Sequence, residues 1–130
     1  MEIIEQFPLN HDLYNHLAVL YSQQGRWKNA IENINQALAL QPYFPLAHYN
    51  LAVFLYQVGD VEGALMEFRK AAEQEPLNPL YQLKLGMYYW KKTRRPDLGR
   101  QYLKESLRLD PYQNDAGKIQ KILSQDSANS

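Results

Sequence analysis

The sequence contains no cysteine among its 130 residues. This absence excludes a disulfide framework and a thiolate metal site, and it suits a reducing compartment. An excess of either charge is also missing, because 14 lysines and arginines balance 14 aspartates and glutamates. No overall field therefore attracts nucleic acid or an anionic membrane. No apolar run approaches the ~18 residues of a membrane-spanning helix, so we expect a soluble, cytoplasmic protein.

Catalytic and cofactor motifs are missing as well. The three histidines, His11, His16 and His48, do not have the spacing of metal ligands. No glycine-rich loop follows a strand, as a phosphate site requires, because the apolar residues have helical spacing nearly throughout. The sequence therefore predicts no enzyme activity, no cofactor and no metal site.

What the chain does contain is a regular interval. Pro8, Pro42 and Pro76 stand 34 residues apart, and Pro111 follows 35 residues later. A fixed period of this length indicates a repeat array, whose surface holds a partner rather than performs a reaction. Other residues recur at the same 34-residue interval: Leu17 and Leu51, Ala18 and Ala52, Val19 and Val53, Gly25 and Gly59, Ala30 and Ala64, and Ala37 and Ala71.

Each interval holds two runs of helical apolar spacing, joined by only a few residues. Such short connections make the two helices antiparallel neighbours. Gly25 and Gly59 suit the turns because glycine accepts a positive φ without steric cost. Pro45 and Pro79 stand where the next helix begins, a position that tolerates the missing N–H of proline. The repeat unit is therefore a pair of helices.

These features resemble the tetratricopeptide repeat family, whose helix–turn–helix unit is about 34 residues long. The resemblance implies an all-α fold, an α-solenoid that forms a right-handed superhelix of three such repeats with a C-terminal capping helix. It covers about residues 10–111 and is carried by aromatic, leucine, alanine and glycine positions that recur in register: Tyr14, Leu17, Ala18, Tyr21, Ala30, Ile34, Ala37, Leu51, Ala52, Leu55, Ala64, Phe68, Ala71, Leu85, Gly86 and Tyr89.

The resemblance also sets the expected boundaries. Residues 10–111 would form three repeats, at about 11–44, 45–78 and 79–112, followed by a capping helix at 113–125 and a disordered tail at 126–130. Residues 1–9 are either the remnant of a preceding helix or an N-terminal extension, with Ile3, Ile4 and Phe7 resembling the last turn of a helix. The third repeat is one residue longer, so we expect the turn at Thr93 to Pro96 to be looser than the others or bent differently.

In this family the first helices of the repeats line a concave groove. A peptide or partner helix would then contact residues at equivalent positions of those helices. An amide such as that of Asn50 both donates to and accepts from a peptide backbone, and aromatic rings add apolar contact with a polar tip. The alternative for each residue is a solvated helix surface. The predicted groove residues are Asn15, His16, Tyr49, Asn50, Tyr56, Lys84, Met87, Trp90 and Lys91.

Chaperone-binding members of the family clamp a terminal carboxylate with basic and asparagine side chains. Asn50 matches one clamp position and Lys84 is a basic near-match for another. Asn15, Val19 and Leu80 occupy the other positions, where the clamp needs two basic residues and an asparagine. The resemblance therefore argues against a chaperone tail as the ligand.

A basic cluster near the longer turn offers a different attraction. Lys91, Lys92, Arg94 and Arg95 either form a solvated turn or draw an acidic partner segment toward one end of the groove. Nucleic acid is not expected, because no broad basic stripe is present.

The sequence thus predicts a protein-binding scaffold module. Two alternatives stay open: the substrate-recruiting segment of a larger enzyme such as a glycosyltransferase, and a self-associating assembly factor. Self-association would produce a homodimer through the apolar N-terminal edge that contains Ile3, Ile4 and Phe7.

Overall fold

The computed structural model describes the backbone of residues 10–128 and the side chains of residues 10–125. Every regular element within that part of the chain is an α-helix. The chain divides after Gln74 into two compact units, so that α1 to α4 lie in the first and α5 to α7 in the second. The helices are α1 His11–Gln23, α2 Trp27–Leu40, α3 Pro45–Gln57, α4 Val61–Gln74, α5 Pro79–Lys92, α6 Pro96–Leu109 and α7 Ala116–Ala128.

The helix ends follow from local chemistry. Asn10 caps α1, because its side-chain oxygen accepts from the backbone N–H of Asp12 at 2.8 Å and of Leu13 at 3.3 Å. Gly25 and Gly59 follow α1 and α3 with φ values of +73° and +90°, the left-handed conformation that side chains with a Cβ disfavour. Proline occupies the start of α3, α5 and α6.

The core of the first unit depends on small residues between its helices. Ala18 of α1 and Ala30 of α2 are fully buried in one apolar cluster, together with Ile34 and Phe54. Alanine at these positions lets the helix axes approach, and the larger side chains fill the space beside them. Trp27 packs on this cluster with its ring 6.0 Å from that of Phe54.

The second unit uses two glycines for the same purpose. A Cβ at Gly99 of α6 would lie 2.7 Å from the backbone nitrogen of Trp90 and 2.9 Å from the carbonyl oxygen of Gly86. The absence of side chains therefore brings α5 and α6 into close contact. Ser106, where the earlier repeats have alanine, is fully buried and donates its hydroxyl to the carbonyl of Pro79 at 2.8 Å. Both departures from the repeat pattern have a packing explanation.

The extra residue of the third repeat lies in a helix and not in the turn. α5 has 14 residues where α1 and α3 have 13, and three residues, 93–95, join it to α6. Thr93 is extended, its hydroxyl donates to the carbonyl of Tyr89 at 2.8 Å, and it accepts from the backbone N–H of Arg95 at 3.0 Å. Of the two expectations for this turn, the structure shows the second: the turn is no longer than the others but is bent differently, because an extended Thr93 with side-chain hydrogen bonds replaces a glycine with positive φ.

The last helix begins and ends later than the 113–125 predicted for a capping helix. α7 starts at Ala116 because the Gln113 side chain holds the preceding turn, donating to the carbonyls of Ser106 and Asp110 at 3.0 and 2.9 Å. Ile119 and Ile122 are buried against Leu103. The helix continues to Ala128, through part of the tail predicted to be disordered, since no proline or glycine interrupts it there.

Two of the predictions concern residues at the ends of the chain. Residues 1–9, including Ile3, Ile4 and Phe7, and residues 129–130 lie outside the described part of the chain. The proposed helix remnant and the dimer edge therefore stay predictions.

Candidate interaction surface

The nine predicted groove residues all lie on the first helices of the helix pairs. Asn15 and His16 are on α1, and Tyr49, Asn50 and Tyr56 are on α3, in the first unit. Lys84, Met87, Trp90 and Lys91 are on α5, in the second unit. The surroundings of these residues differ sharply from one to the next.

Asn15 and Asn50 form a hydrogen-bonded amide pair between α1 and α3. The Nδ2 group of Asn50 donates to Oδ1 of Asn15 at 3.0 Å. Asn15 is only 5% exposed, whereas Asn50 is half-buried. The structure thus changes the predicted role of Asn15: its burial removes it from the surface and makes it the residue that orients Asn50. Helical spacing alone did not show this, because the neighbour of Asn15 is 35 residues away in sequence.

Apolar and aromatic side chains lie within about one helical turn of this pair. Leu46 is 48% exposed, and Val19 and Val53 are half-buried. We call this surface the α1–α3 face, and it comprises His16, Val19, Leu46, Tyr49, Asn50, Val53 and Tyr56. Leu46 was not among the predicted groove residues; its signal in the sequence was its register with Leu80.

Tyr49 packs against a buried aromatic residue of α4. Its ring meets that of Phe68, a buried residue of α4, edge to face with centroids 5.6 Å apart. A tyrosine hydroxyl is neutral at physiological pH, and burial raises the pKa of the Tyr49 hydroxyl further above its ordinary value. Tyr49 therefore contributes a fixed and uncharged edge to the α1–α3 face.

A buried ionic network lies on the other side of α3. Nδ1 of His48 is 2.7 Å from Oε1 of Glu67, and its Nε2 is 3.1 Å from the carbonyl oxygen of Pro42. Lys70 donates to the other carboxylate oxygen of Glu67 at 3.2 Å. Both ring nitrogens of His48 thus lie within hydrogen-bonding distance of an oxygen. The network ties α3, α4 and the turn before α3 together.

Burial and hydrogen bonding have opposite effects on the pKa of Glu67. Burial alone would raise the pKa of its carboxyl, but the hydrogen bonds from His48 and Lys70 and their positive charges hold that pKa below its ordinary value. In the sequence, His48 occupies the repeat position that Tyr14 holds 34 residues earlier. Its signal for an ionic role was Glu67 on the apolar side of α4, next to Phe68.

In the second unit, two of the predicted groove residues contribute partly to the core. Met87 and Trp90 pack against the cluster of Leu83, Leu103, Ile119 and Ile122, and both are half-buried. Lys84 is half-buried and Lys91 is exposed. The lysines are thus the accessible polar groups among the four predicted residues of α5.

The basic cluster follows the C-terminal end of α5. Lys91 and Lys92 lie in its last turn, where a positive charge offsets the negative end of the helix dipole. Arg95 is close to Asp97, with 3.8 Å between Nε and Oδ1. The lysines therefore have a local stabilising role that needs no acidic partner.

The described residues form neither a metal site nor a membrane-spanning helix. Among the side chains described, those of residues 10–125, no group of three or more histidines, aspartates or glutamates is arranged to hold a metal ion. In the same part of the chain, no helix combines the length and apolarity needed to cross a bilayer.

Comparison with known proteins gives consistent matches. A family model described as TPR repeat matches residues 18–59, and one described as Tetratricopeptide repeat matches residues 55–114. The E3 ubiquitin-protein ligase TTC3 of Mus musculus and that of Rattus norvegicus are each 32% identical over 68 residues, or 52% of this chain. The matched segment spans only 3% of the length of these ligases.

Solved structures share the fold. The first TPR of Spaghetti (RPAP3) bound to HSP90 peptide SRMEEVD has a TM-score of 0.79 at 18% identity, covering 91% of this chain and 93% of that one. MamA has a TM-score of 0.78 at 16% identity, with 98% and 84% covered. A chain of the APC/C hetero-tetramer Cut9-Hcn1 reaches 0.81 at 19% identity, with 92% and 24% covered. These similarities confirm the predicted all-α repeat fold.

Proposed function

Because the chain belongs to the tetratricopeptide repeat family, we propose that it is a scaffold module that binds a peptide or helix of a partner protein on its first helices. The observation that carries the proposal is the Asn15–Asn50 pair. A buried amide fixes the orientation of a half-buried one in the middle of an apolar surface. The RPAP3 domain, which has this fold, holds a peptide, and that supports the same use here.

The α1–α3 face and the exposed residues of α5 would contribute different chemistry to binding. On the α1–α3 face, the Nδ2 group of Asn50 donates to Asn15, and its second N–H and its Oδ1 would bond to a partner backbone. Tyr49 and Tyr56 add apolar contact. On α5, Lys84 and Lys91 would attract an acidic stretch of the partner. This interaction fold is generally not catalytic, and we propose no reaction for it.

A terminal carboxylate is not the partner group we propose for the first unit. Asn15, at a clamp position, is buried and bonded to Asn50. Val19, at another, has no charge to offer. A carboxylate placed there would lose water without gaining a cation.

The test is a pull-down from cell lysate with the purified chain and its double variant Asn50→Ala, Lys84→Ala. We expect the double variant to lose the partners that the native chain retains. The matched control replaces Asn35 and Lys104, an exposed amide and lysine on second helices, with alanine, and it should retain them. If the Asn50→Ala, Lys84→Ala variant retained the same partners, the assigned surface would be wrong.

A second candidate is the recruiting segment of a larger enzyme. The similarity to two E3 ubiquitin-protein ligases favours it, since a repeat module inside such an enzyme would hold its substrate. The full-length reading frame tests this candidate directly: a catalytic domain on either side is expected, and a reading frame without one would contradict it.

A further inference from the structure

The first helices of the first unit are almost without charge. Asp12 is the single aspartate or glutamate in α1 and α3, and neither helix contains lysine or arginine. The second helices of the same unit are different, since α2 contains Lys28 and Glu32 and α4 alone has five charged residues. Charge in this unit is thus concentrated away from the α1–α3 face.

A low charge on an accessible helix surface needs an explanation. A solvated helix face is usually rich in charged residues, as the outer side of α4 is. The α1–α3 face instead presents Leu46 at 48% exposure, with half-buried valine and tyrosine beside it. Apolar side chains exposed among amides are typical of the core of a protein–protein interface, where charged residues are depleted.

We propose that the α1–α3 face binds an uncharged segment of a partner protein that carries aliphatic or aromatic side chains. This inference rests on the proposed function and names the chemistry of its partner. An ionised carboxylate or ammonium group would have to leave water for a surface that offers no opposite charge, which disfavours its binding there. Aliphatic and aromatic side chains bear no such cost and gain from burial against Leu46, Val53 and Tyr49.

Asn50 gives this surface its polar anchor. The backbone of any bound segment brings N–H and C=O groups that must remain hydrogen-bonded when they leave water. Asn50 offers one acceptor and one further donor, and the bond to Asn15 holds both in a fixed direction. Recognition is thus of the backbone and of side-chain polarity, not of a charged group.

The direct test uses pools of short synthetic peptides with amidated C-termini and three compositions. One pool combines leucine, isoleucine and phenylalanine with serine and glutamine; the other two replace some of the polar positions with glutamate or with lysine. Binding to the purified native chain is measured at about pH 8, where an ordinary imidazole is neutral, at low and at high salt. We expect the uncharged pool to bind most strongly, with an affinity that salt does not reduce, because screening acts only on charges.

Two variants of equal exposure locate the site. Leu46 of α3 is 48% exposed and Met66 of α4 is 49% exposed, so each accepts a charge without loss of core packing. Leu46→Glu should weaken binding of the uncharged pool about tenfold or more, and Met66→Glu should leave it unchanged. Circular dichroism is used to check that both variants are folded.

The outcomes separate this inference from the proposed function. Salt-sensitive preference for the glutamate pool or the lysine pool would overturn the inference if Asn50→Ala abolished that binding and Lys84→Ala did not, and the proposed function would then still stand. Binding of the glutamate pool that depends on Lys84 alone belongs to α5 and is scored separately from the uncharged pool. Loss of the uncharged pool in Met66→Glu but not in Leu46→Glu would place the site elsewhere and overturn the inference. If none of the pools bound and the pull-down also showed no dependence on Asn50 and Lys84, both proposals would fail.

Discussion

The imidazole of His48 and the carboxylate of Glu67 meet at 2.7 Å between α3 and α4, with side chains only 9% and 11% exposed. These residues are 19 positions apart, and they join the two helices of one repeat. Because His48 also contacts the carbonyl of Pro42, the pair secures the turn that leads into the α1–α3 face. Removing the interaction between His48 and Glu67 should lower the stability of the fold more than it lowers the affinity for a partner.

We therefore expect Glu67→Gln to destabilise the fold by about 1–3 kcal/mol near neutral pH, the usual range for a hydrogen bond to a charged group. The pKa of Glu67 is lowered in the folded state, so its stabilisation is present above the unfolded pKa of about 4.3 and is lost as pH falls through the folded pKa. Urea unfolding at about pH 6 and about pH 3 measures the difference.

The contradicting result for that variant is a stability difference that stays the same, or grows, at the lower pH. Glu73→Gln is the control, because Glu73 is an exposed carboxylate on the same helix. Its substitution should change stability by less than about 0.5 kcal/mol at either pH.

Gly99→Ala should destabilise the second unit by about 1–3 kcal/mol, because the new methyl group would meet backbone atoms of α5 that cannot move aside easily. Gly117→Ala is the matched control. Nothing lies within 4 Å of a Cβ built at Gly117, and alanine has the higher helix propensity, so this change should stabilise by up to about 1 kcal/mol. Thermal unfolding measures the change in stability of each variant. Equal changes for Gly99→Ala and Gly117→Ala would contradict the close packing of α5 on α6.

The amide pair can be tested by a double-mutant cycle. Asn15→Ala, Asn50→Ala and the double variant should give a coupling energy of about 1 kcal/mol in urea unfolding, since a typical intramolecular hydrogen bond contributes that much. Asn35→Ala combined with Asn50→Ala provides the reference, because Asn35 lies exposed on α2. A coupling near zero for the Asn15 and Asn50 pair would mean that the bond does not orient Asn50.

Asn15→Ala should also weaken partner binding although Asn15 is buried, because a free Asn50 amide loses its fixed direction. We expect a loss of several-fold, smaller than that of Asn50→Ala, measured with the uncharged peptide pool. An equal loss for the two variants would indicate direct contact of Asn15 with the ligand.

The fold was largely predictable because its cues are local. The 34-residue interval, the glycines at positive φ and the prolines at helix starts each act within one repeat. The prediction that Asn50 lies on the side of α3 away from the core came from the family resemblance, and the residue is half-buried in the structure. Local cues did not show that Asn15 is buried, because its neighbour belongs to the next repeat.

Other differences between prediction and structure also arose from contacts between residues far apart in the sequence. Met87 and Trp90 are half-buried because they pack against a cluster that includes Ile119 and Ile122 of α7. The spacing of residues within α5 alone did not reveal this contact with a later helix. The added residue of the third repeat lengthened α5, since the Thr93 hydroxyl allowed a short turn without glycine. The pairing of His48 with Glu67 depended on which faces of α3 and α4 meet.

The central claim is that a partner protein contacts the α1–α3 face, and site-specific photo-crosslinking tests it most directly. A p-benzoylphenylalanine is placed at position 46 on α3 or, as the control, at position 66 on α4, two sites with nearly equal exposure of 48% and 49%. After irradiation with the partners that the native chain retains in the pull-down, we predict covalent adducts from position 46 and none from position 66. Adducts from position 66 without adducts from position 46 would contradict the account.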